Sequence, residues 1–205
     1  MVSALVLAGG KSRRLGTDKR RLRLTSGRGL LEETIDKVAP LADEVLVALG
    51  DDTASFAELA RPGIRLLADE QPGTGPLGGI VTGLAVARHD LVLVVACDLP
   101  LLNVALLQAL LEMAGESDLV VPRRQDGTLE MLQAVYRQGC LPFARGLLVC
   151  GRLRLAGLAD ELIAAGRPVR FVDDDALRSF DPDLASFYNL NTPDDLRNVP
   201  PVSAS

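Results

Sequence analysis

The run Leu7-Ala8-Gly9-Gly10-Lys11-Ser12-Arg13-Arg14-Leu15-Gly16-Thr17-Asp18-Lys19 has the composition of a phosphate cradle. Glycines let backbone N–H groups approach an anion with no Cβ between them, and Arg and Lys heads add charge-assisted hydrogen bonds. The charge is concentrated here: Lys11, Arg13, Arg14, Lys19, Arg20, Arg21, Arg23 and Arg28 face one acid, Asp18. Two familiar phosphate loops are nevertheless missing. A Walker loop ending at Gly10-Lys11-Ser12 needs glycine where Leu5 stands, and no GxGxxG pattern follows the first apolar run. A conventional P-loop ATPase or dinucleotide-binding dehydrogenase is thereby disfavoured.

Three further clusters carry chemistry. In Val92-Leu93-Val94-Val95-Ala96-Cys97-Asp98-Leu99-Pro100 a carboxylate ends an apolar run. Asp98 is either a Mg2+ anchor beside phosphates or a cap on the following turn. Asp69 follows another apolar run, and Gly73-Thr74-Gly75-Pro76-Leu77-Gly78-Gly79 offers close backbone approach to a base or ribose. Near the end of the chain, Asn189-Leu190-Asn191-Thr192-Pro193 sets two amides before a helix start. Those amides suit a metal shell, an acceptor contact or a plain turn. The single histidine, His89, lies between Arg88 and Asp90 and reads as a surface residue. Covalent hydrolase chemistry is poorly supported, because no Ser/His or Cys/His arrangement accompanies it. The run Asp173-Asp174-Asp175 reads as a solvated loop.

Such residues need a rigid frame. Apolar runs at 4–7, 45–49, 64–67 and 91–96 have the length and continuity of strands buried on both faces of a parallel sheet. Residues 30–41, 56–60, 79–87 and 104–114 place apolar side chains at helical spacing. The alternation predicts an α/β fold, a three-layer α/β/α sandwich around a mostly parallel sheet. Beyond residue 114 the rhythm loosens. Strands are expected at 119–121, 131–136 and 168–172, giving a mixed edge, with helices over 158–165 and from Thr192. In open sheets of this kind ligands gather at the carboxyl ends of the strands, so Asp98 should face the same crevice as the first loop.

Composition narrows the partners. The chain of 205 residues is 48% hydrophobic and 24% charged, enough for one domain over residues 1–205 with a frayed tail at 200–205. Aromatics make up 3% and tryptophan is absent, against base stacking on single-stranded nucleic acid. A net charge of -5 speaks against a general polyanion binder, and with one basic island it favours a small anionic ligand. Cys97, Cys140 and Cys150 show no metal-ligand spacing and read as free thiols in a reducing compartment. Neither a signal peptide nor a membrane span is apparent, so the cytoplasm is expected. Oligomeric state stays open between a monomer and a weak homo-oligomer.

The ordered set Leu7-Ala8-Gly9-Gly10 through Arg14, Gly16, Asp18 and Lys19, then Gly75-Pro76-Leu77-Gly78-Gly79, Cys97-Asp98-Leu99-Pro100 and Asn189-Leu190-Asn191-Thr192-Pro193 resembles the molybdenum cofactor guanylyltransferase family, within the MobA-like nucleotidyltransferases. The resemblance spans nearly the whole chain. It implies a Rossmann-like fold that binds GTP and Mg2+, transfers GMP to molybdopterin and releases pyrophosphate. Carried over by position, Leu7, Ala8, Gly9 and Gly10 contact the nucleotide, as do Gly75, Pro76 and Leu77, with Asp69 in the same pocket. Arg14 and Lys19 hold the phosphates, Asp98 binds the metal, and Asn191, with Asn189 near it, completes the metal or acceptor side. Two departures stand out. Relatives often carry Asn after the second strand, where this chain reads Ala48, and a Pro-Leu pair ahead of the strand where it reads Leu129-Glu130-Met131-Leu132-Gln133-Ala134. The paired glycines and the Gly-Pro-Leu turn resemble the guanylyl branch more than the cytidylyl one, whose first loop tends to carry Ala-Ala-Gly. The alternatives are a transferase of the same superfamily acting on a sugar phosphate, a phospholactate or a different pterin nucleotide, and, of another class, a non-catalytic nucleotide sensor.

Overall fold

The computed structural model describes residues 1–9, 18–22, 27–190 and 195. Val- and Leu-rich runs form β1 (Val2–Leu7), β2 (Glu44–Ala48), β3 (Ile64–Leu67) and β4 (Leu91–Ala96), followed by β5 (Leu119–Arg123), β6 (Gln133–Arg137) and β7 (Val169–Asp173). They make one sheet in the order β3-β2-β1-β4-β6-β5-β7. β1 pairs in parallel with β2 and β4, β2 with β3, and β5 with β7. β6 runs antiparallel to both β4 and β5. The mixed character therefore lies inside the sheet, and the edges are β3 and β7.

The connections explain that arrangement. From β4 the chain crosses over through α3 (Val104–Glu112) to β5, leaving a gap one strand wide. The link from β5 to β6 closes in a tight turn, with Gly127 N–H donating to Arg124 C=O at 2.8 Å and Gly127 at φ 84. So short a link cannot carry a crossover helix, and β6 must return antiparallel into the gap.

Alternation along β1 sends Ala4 and Val6 to one face and Leu5 and Leu7 to the other. On the first face lie Leu31, Ile35 and Val38 of α1 (Leu30–Val38) and Leu106, Leu107 and Leu110 of α3. The second is covered by α2 (Pro76–Val86), α4 (Leu141–Val149) and α5 (Ala156–Ala164). α2 lies unusually close to the sheet: a Cβ on Gly83 would stand 2.3 Å from Leu5 Cδ2, and one on Gly79 2.8 Å from Leu7 Cδ2.

Several elements differ from expectation. Residues 56–59 belong to a kinked 3-10 segment, Ala54–Leu59, which Ala60 caps, and α2 begins at Pro76, three residues before its expected start, because proline suits a first helical turn. α4 was not anticipated: Pro142 and Gly146 interrupt its pattern, although Ala144, Leu147 and Leu148 are buried at helical spacing. The Asp173-Asp174-Asp175 run is structured. Asp173 ends β7 and pairs with Arg123, while Asp174 opens α6 (Asp174–Leu177) and accepts from Arg124. His89 lies in the turn after α2, half-buried, its N–H donating to Ser3 Oγ at 3.3 Å. The helix expected from Thr192 and the tail at 200–205 fall outside the described residues, residue 195 excepted. No helix among the described residues is long and apolar enough to cross a membrane.

Candidate active site at the carboxyl ends of the strands

From β1 the chain leaves toward β2 on one side, and through α2 it returns to β4 on the other, so the loops after β1 and β4 diverge. A crevice must open at such a switch point. It does: a cleft of about 620 Å³ is lined by Leu7, Ala8 and Gly9 after β1, Gly50 and Asp51 after β2, and Asp69 after β3. Gly75, Pro76 and Gly79 at the start of α2 form another wall, with Cys97 and Asp98 after β4, Leu132 before β6, and Arg20.

Hydrogen bonds continue the parallel ladder past the strand ends and hold these loops in register. Ala8 N–H donates to Ala48 C=O at 2.8 Å, Cys97 N–H to Leu7 C=O at 3.0 Å and Asp69 N–H to Gly50 C=O at 2.8 Å. The first two loops touch. Gly50 has φ +68, and a Cβ on it would sit 3.3 Å from Gly9 C=O, so glycine is required there for both conformation and space. Gly75, at φ 66 and ψ -154, adopts a backbone that is essentially glycine's own and aims the amino terminus of α2, where unpaired N–H groups favour anions, into the cleft.

Asp69 is the electrostatic anomaly of the cleft. Its backbone is pinned by Gly50, and the next N–H, of Glu70, donates to Thr82 Oγ1 of α2 at 3.0 Å. Its Oδ1 is buried with no hydrogen-bond partner. Burial raises its pKa above the ordinary carboxylate value and Asp51 adds to the rise, while the Gly50 N–H works against them. A carboxylate held this way is an acceptor awaiting donors.

Asp98 lines the cleft across from Asp69, on the β4 side of the switch point. Its C=O accepts from Leu190 N–H at 3.0 Å, which fastens the segment containing Asn189 beside the end of β4. Asn189 itself is exposed and does not line the cleft. Leu77 is fully buried and does not line the cleft: its side chain packs in the apolar cluster beneath α2, because its place on the helix turns it to the sheet. Gly10, Arg14 and Asn191, together with the side chain of Lys19, lie outside the described residues; the Lys19 backbone opens the 3-10 turn Lys19–Arg21.

Sequence reasoning missed three contributors. Gly50 and Asp51 sit after β2, where the carboxyl-end rule would have found them. The expected loss of a side chain at Ala48 takes a specific form: Ala48, at the end of β2, lines the cleft with only a methyl group, and the turn beyond it adds Gly50 and Asp51 to the wall. Arg20 is 4% exposed and ion-paired to Asp18 and Asp52. In the sequence it is one cation among eight, with no local sign of burial.

A mostly parallel α/β sheet, with a loop of glycine-rich, basic sequence after its first strand and a carboxylate lining the cleft at the switch point, has the architecture of the nucleotidyltransferase class. Residues 4–175 match the MobA-like NTP transferase domain, and the chain belongs to that family. It is 41% identical to a probable molybdenum cofactor guanylyltransferase of Chloroflexus aggregans, over 97% of this chain and 93% of the relative. It is 32% identical to the molybdenum cofactor guanylyltransferase of Desulfosudis oleivorans, over 97% and 94%. Among solved structures, molybdopterin-guanine dinucleotide biosynthesis protein A of Archaeoglobus fulgidus superposes with a TM-score of 0.80 at 26% identity, covering 96% of each chain.

Proposed function

We propose that the chain binds GTP with Mg2+ in this cleft and transfers GMP to molybdopterin, releasing pyrophosphate and forming the guanine dinucleotide cofactor. The observation that carries this reading is the unpartnered Oδ1 of Asp69, in a cleft that Gly9, Gly50, Gly75 and Gly79 also line. Guanine presents adjacent ring N–H and amino donors on one edge, which a carboxylate can accept together. Cytosine presents an amino donor beside a ring-nitrogen acceptor, whose lone pair would face the carboxylate.

In the reaction a phosphate oxygen of the acceptor attacks the α-phosphorus in line, the bond from that phosphorus to the β-bridging oxygen breaks, and pyrophosphate leaves. No general base is needed, since a phosphate monoester with a second pKa of about 6 is mostly ionised at neutral pH. Catalysis then rests on positioning and charge neutralisation. Arg14 and Lys19 offset charge on the departing pyrophosphate, Asp98 and Asn191 hold the metal, and Asn189 borders the acceptor.

The residues fit that metal. Among the described residues no group of three or more His, Cys, Asp or Glu side chains forms a cage. Mg2+ characteristically binds through one or two carboxylates and substrate phosphates, and Asp98, which lines the cleft, would serve as such a ligand. When bound, it neutralises phosphate charge. The same reading sets the reaction in the cytoplasm, by a monomer or weak homo-oligomer.

The test is a thermal-shift panel of GTP, CTP, ATP and UTP with Mg2+, followed by pyrophosphate release in the presence of molybdopterin. A ligand at a hundred times its Kd adds about 2.7 kcal/mol of stability. GTP should give the largest shift; a larger one with CTP overturns the guanine assignment.

A further inference from the structure

Arg20 joins three segments of chain. Its Nε donates to Asp18 Oδ1 at 2.8 Å and its Nη2 to Asp18 Oδ2 at 2.7 Å, a two-pronged grip on the far end of the glycine-rich loop. Nη2 also donates to Asp52 Oδ2 at 2.6 Å, in the turn after β2, and Nη1 donates to Ala8 C=O at 3.4 Å, at the near end of the loop. The guanidinium carbon lies 4.5 Å from the centre of the Phe56 ring, which Arg21 also approaches at 4.6 Å. Four of the five guanidinium N–H groups are thus taken up inside the protein, and the side chain is 3% exposed.

The arrangement is too specific for a charge merely parked at the surface. Both ends of one loop and the neighbouring loop are held by one planar group, which cannot shift toward one partner without losing another. Lys19 is the residue between the two gripped ones, Asp18 and Arg20, so its Cα is fixed as they are fixed. The cost of burying a cation is met by two carboxylates and an aromatic face. A lysine could not replace it, because one ammonium cannot present a planar fork to Asp18 while reaching Asp52 and Ala8.

We propose that Arg20 is a positioning residue that locks the two ends of the glycine-rich loop to the turn after β2 and so sets where Lys19 stands against a bound nucleoside triphosphate. The proposal rests on the reading of the cleft as a nucleotide site. Arg20 acts through Lys19, so its substitution and that of Lys19 must not be independent.

The experiment is a double-mutant cycle on the full chain, with kcat and KM for GTP measured in the parent, Arg20→Lys, Lys19→Ala and the double variant. Arg20→Lys should lower kcat/KM about 10-fold or more in the parent and less than about 3-fold once Lys19 is alanine, the non-additivity typical of residues acting as a unit. Equal losses in both backgrounds, or none in the first, overturn the proposal. If Arg20→Lys fails to fold by circular dichroism, Asp52→Asn, which loosens one anchor, takes its place. A several-fold rise in KM for GTP at an unchanged ligand-free melting temperature then supports the lock, and an unchanged KM overturns it. A parent that binds no nucleoside triphosphate overturns the functional reading itself, whereas a GTP-binding parent with indifferent variants overturns only the lock.

Discussion

Two carboxylates, Asp118 buried and Asp69 half-buried, stand at opposite ends of the same sheet and are treated in opposite ways. Asp118, just before β5 and 4% exposed, borders a polar hollow of about 470 Å³ with Asp90, Glu116, Arg137 and Arg167. There the chain supplies the answering charge. Arg167 Nη2 donates to Asp118 Oδ1 at 2.7 Å, and its Nε makes an ion-pair contact with Oδ2 at 2.6 Å without hydrogen-bond alignment. Arg137 pairs with Asp90 beside it. Asp69, at the other end, keeps an acceptor oxygen buried and unused. Asp118 at the amino end of the sheet is answered by a cation of the chain, whereas Asp69 at the carboxyl end has an oxygen that no protein donor answers.

The largest expected effect lies at the carboxyl end. Asp98→Ala should cut transfer by roughly 10²–10³-fold or more, the scale for removing one electrostatic stabiliser, while leaving the melting temperature and much of the GTP binding intact. Unchanged turnover with Mg2+ would remove Asp98 from the metal site.

Next come paired substitutions that should move in opposite directions. Asp69→Asn should weaken GTP binding by roughly 10- to 100-fold, from the loss of charge-assisted bonds worth about 1.5–3 kcal/mol. It should also raise the ligand-free melting temperature, because burial opposes the ionised carboxyl. Asp118→Asn should lower stability by about 1–3 kcal/mol and leave GTP affinity alone. Calorimetry and GTP titration of both variants check the contrast, which fails if both lose affinity or both lose stability.

The smallest effect is one of pH. Arg20 hydrogen bonds hold the Asp18 carboxyl below its ordinary value of 3.8, so its stabilisation is complete above that value and lost as pH falls through the lowered one. Asp69 has the opposite sign. Its raised pKa means that acidification through that value relieves the cost of burial and removes the charged acceptor. On lowering the pH, GTP affinity should therefore fall before the clamp at Asp18 weakens. Titrating the parent against Asp69→Asn isolates the effect; matching profiles would show that some other group governs the fall.

Much of the frame was legible because its signals are local. β1 to β4 each announce themselves as a continuous apolar run, and α1 and α3 as apolar stripes. The interior position of β6 was not, since strand direction follows from the short β5–β6 turn and the gap left by α3. α4 was hidden by Pro142 and Gly146, which weaken the pattern without breaking the helix. At the site, the glycine loop, Asp69 and Asp98 could be found because each follows a strand. The side-chain direction of Leu77 was not legible: its motif lies at the cleft, but its own position on α2 faces the core.

By itself the sequence determined the chemistry at hand, a basic glycine-rich loop and carboxylates at strand ends, because each depends on residues adjacent in the chain. Tertiary structure decided which charges would be consumed. Arg20 is 32 residues from Asp52, and Arg167 is 49 from Asp118. Pairing over such distances depends on how the strands are ordered, and that order left Asp69, which lines the cleft, with a buried oxygen that no protein donor answers.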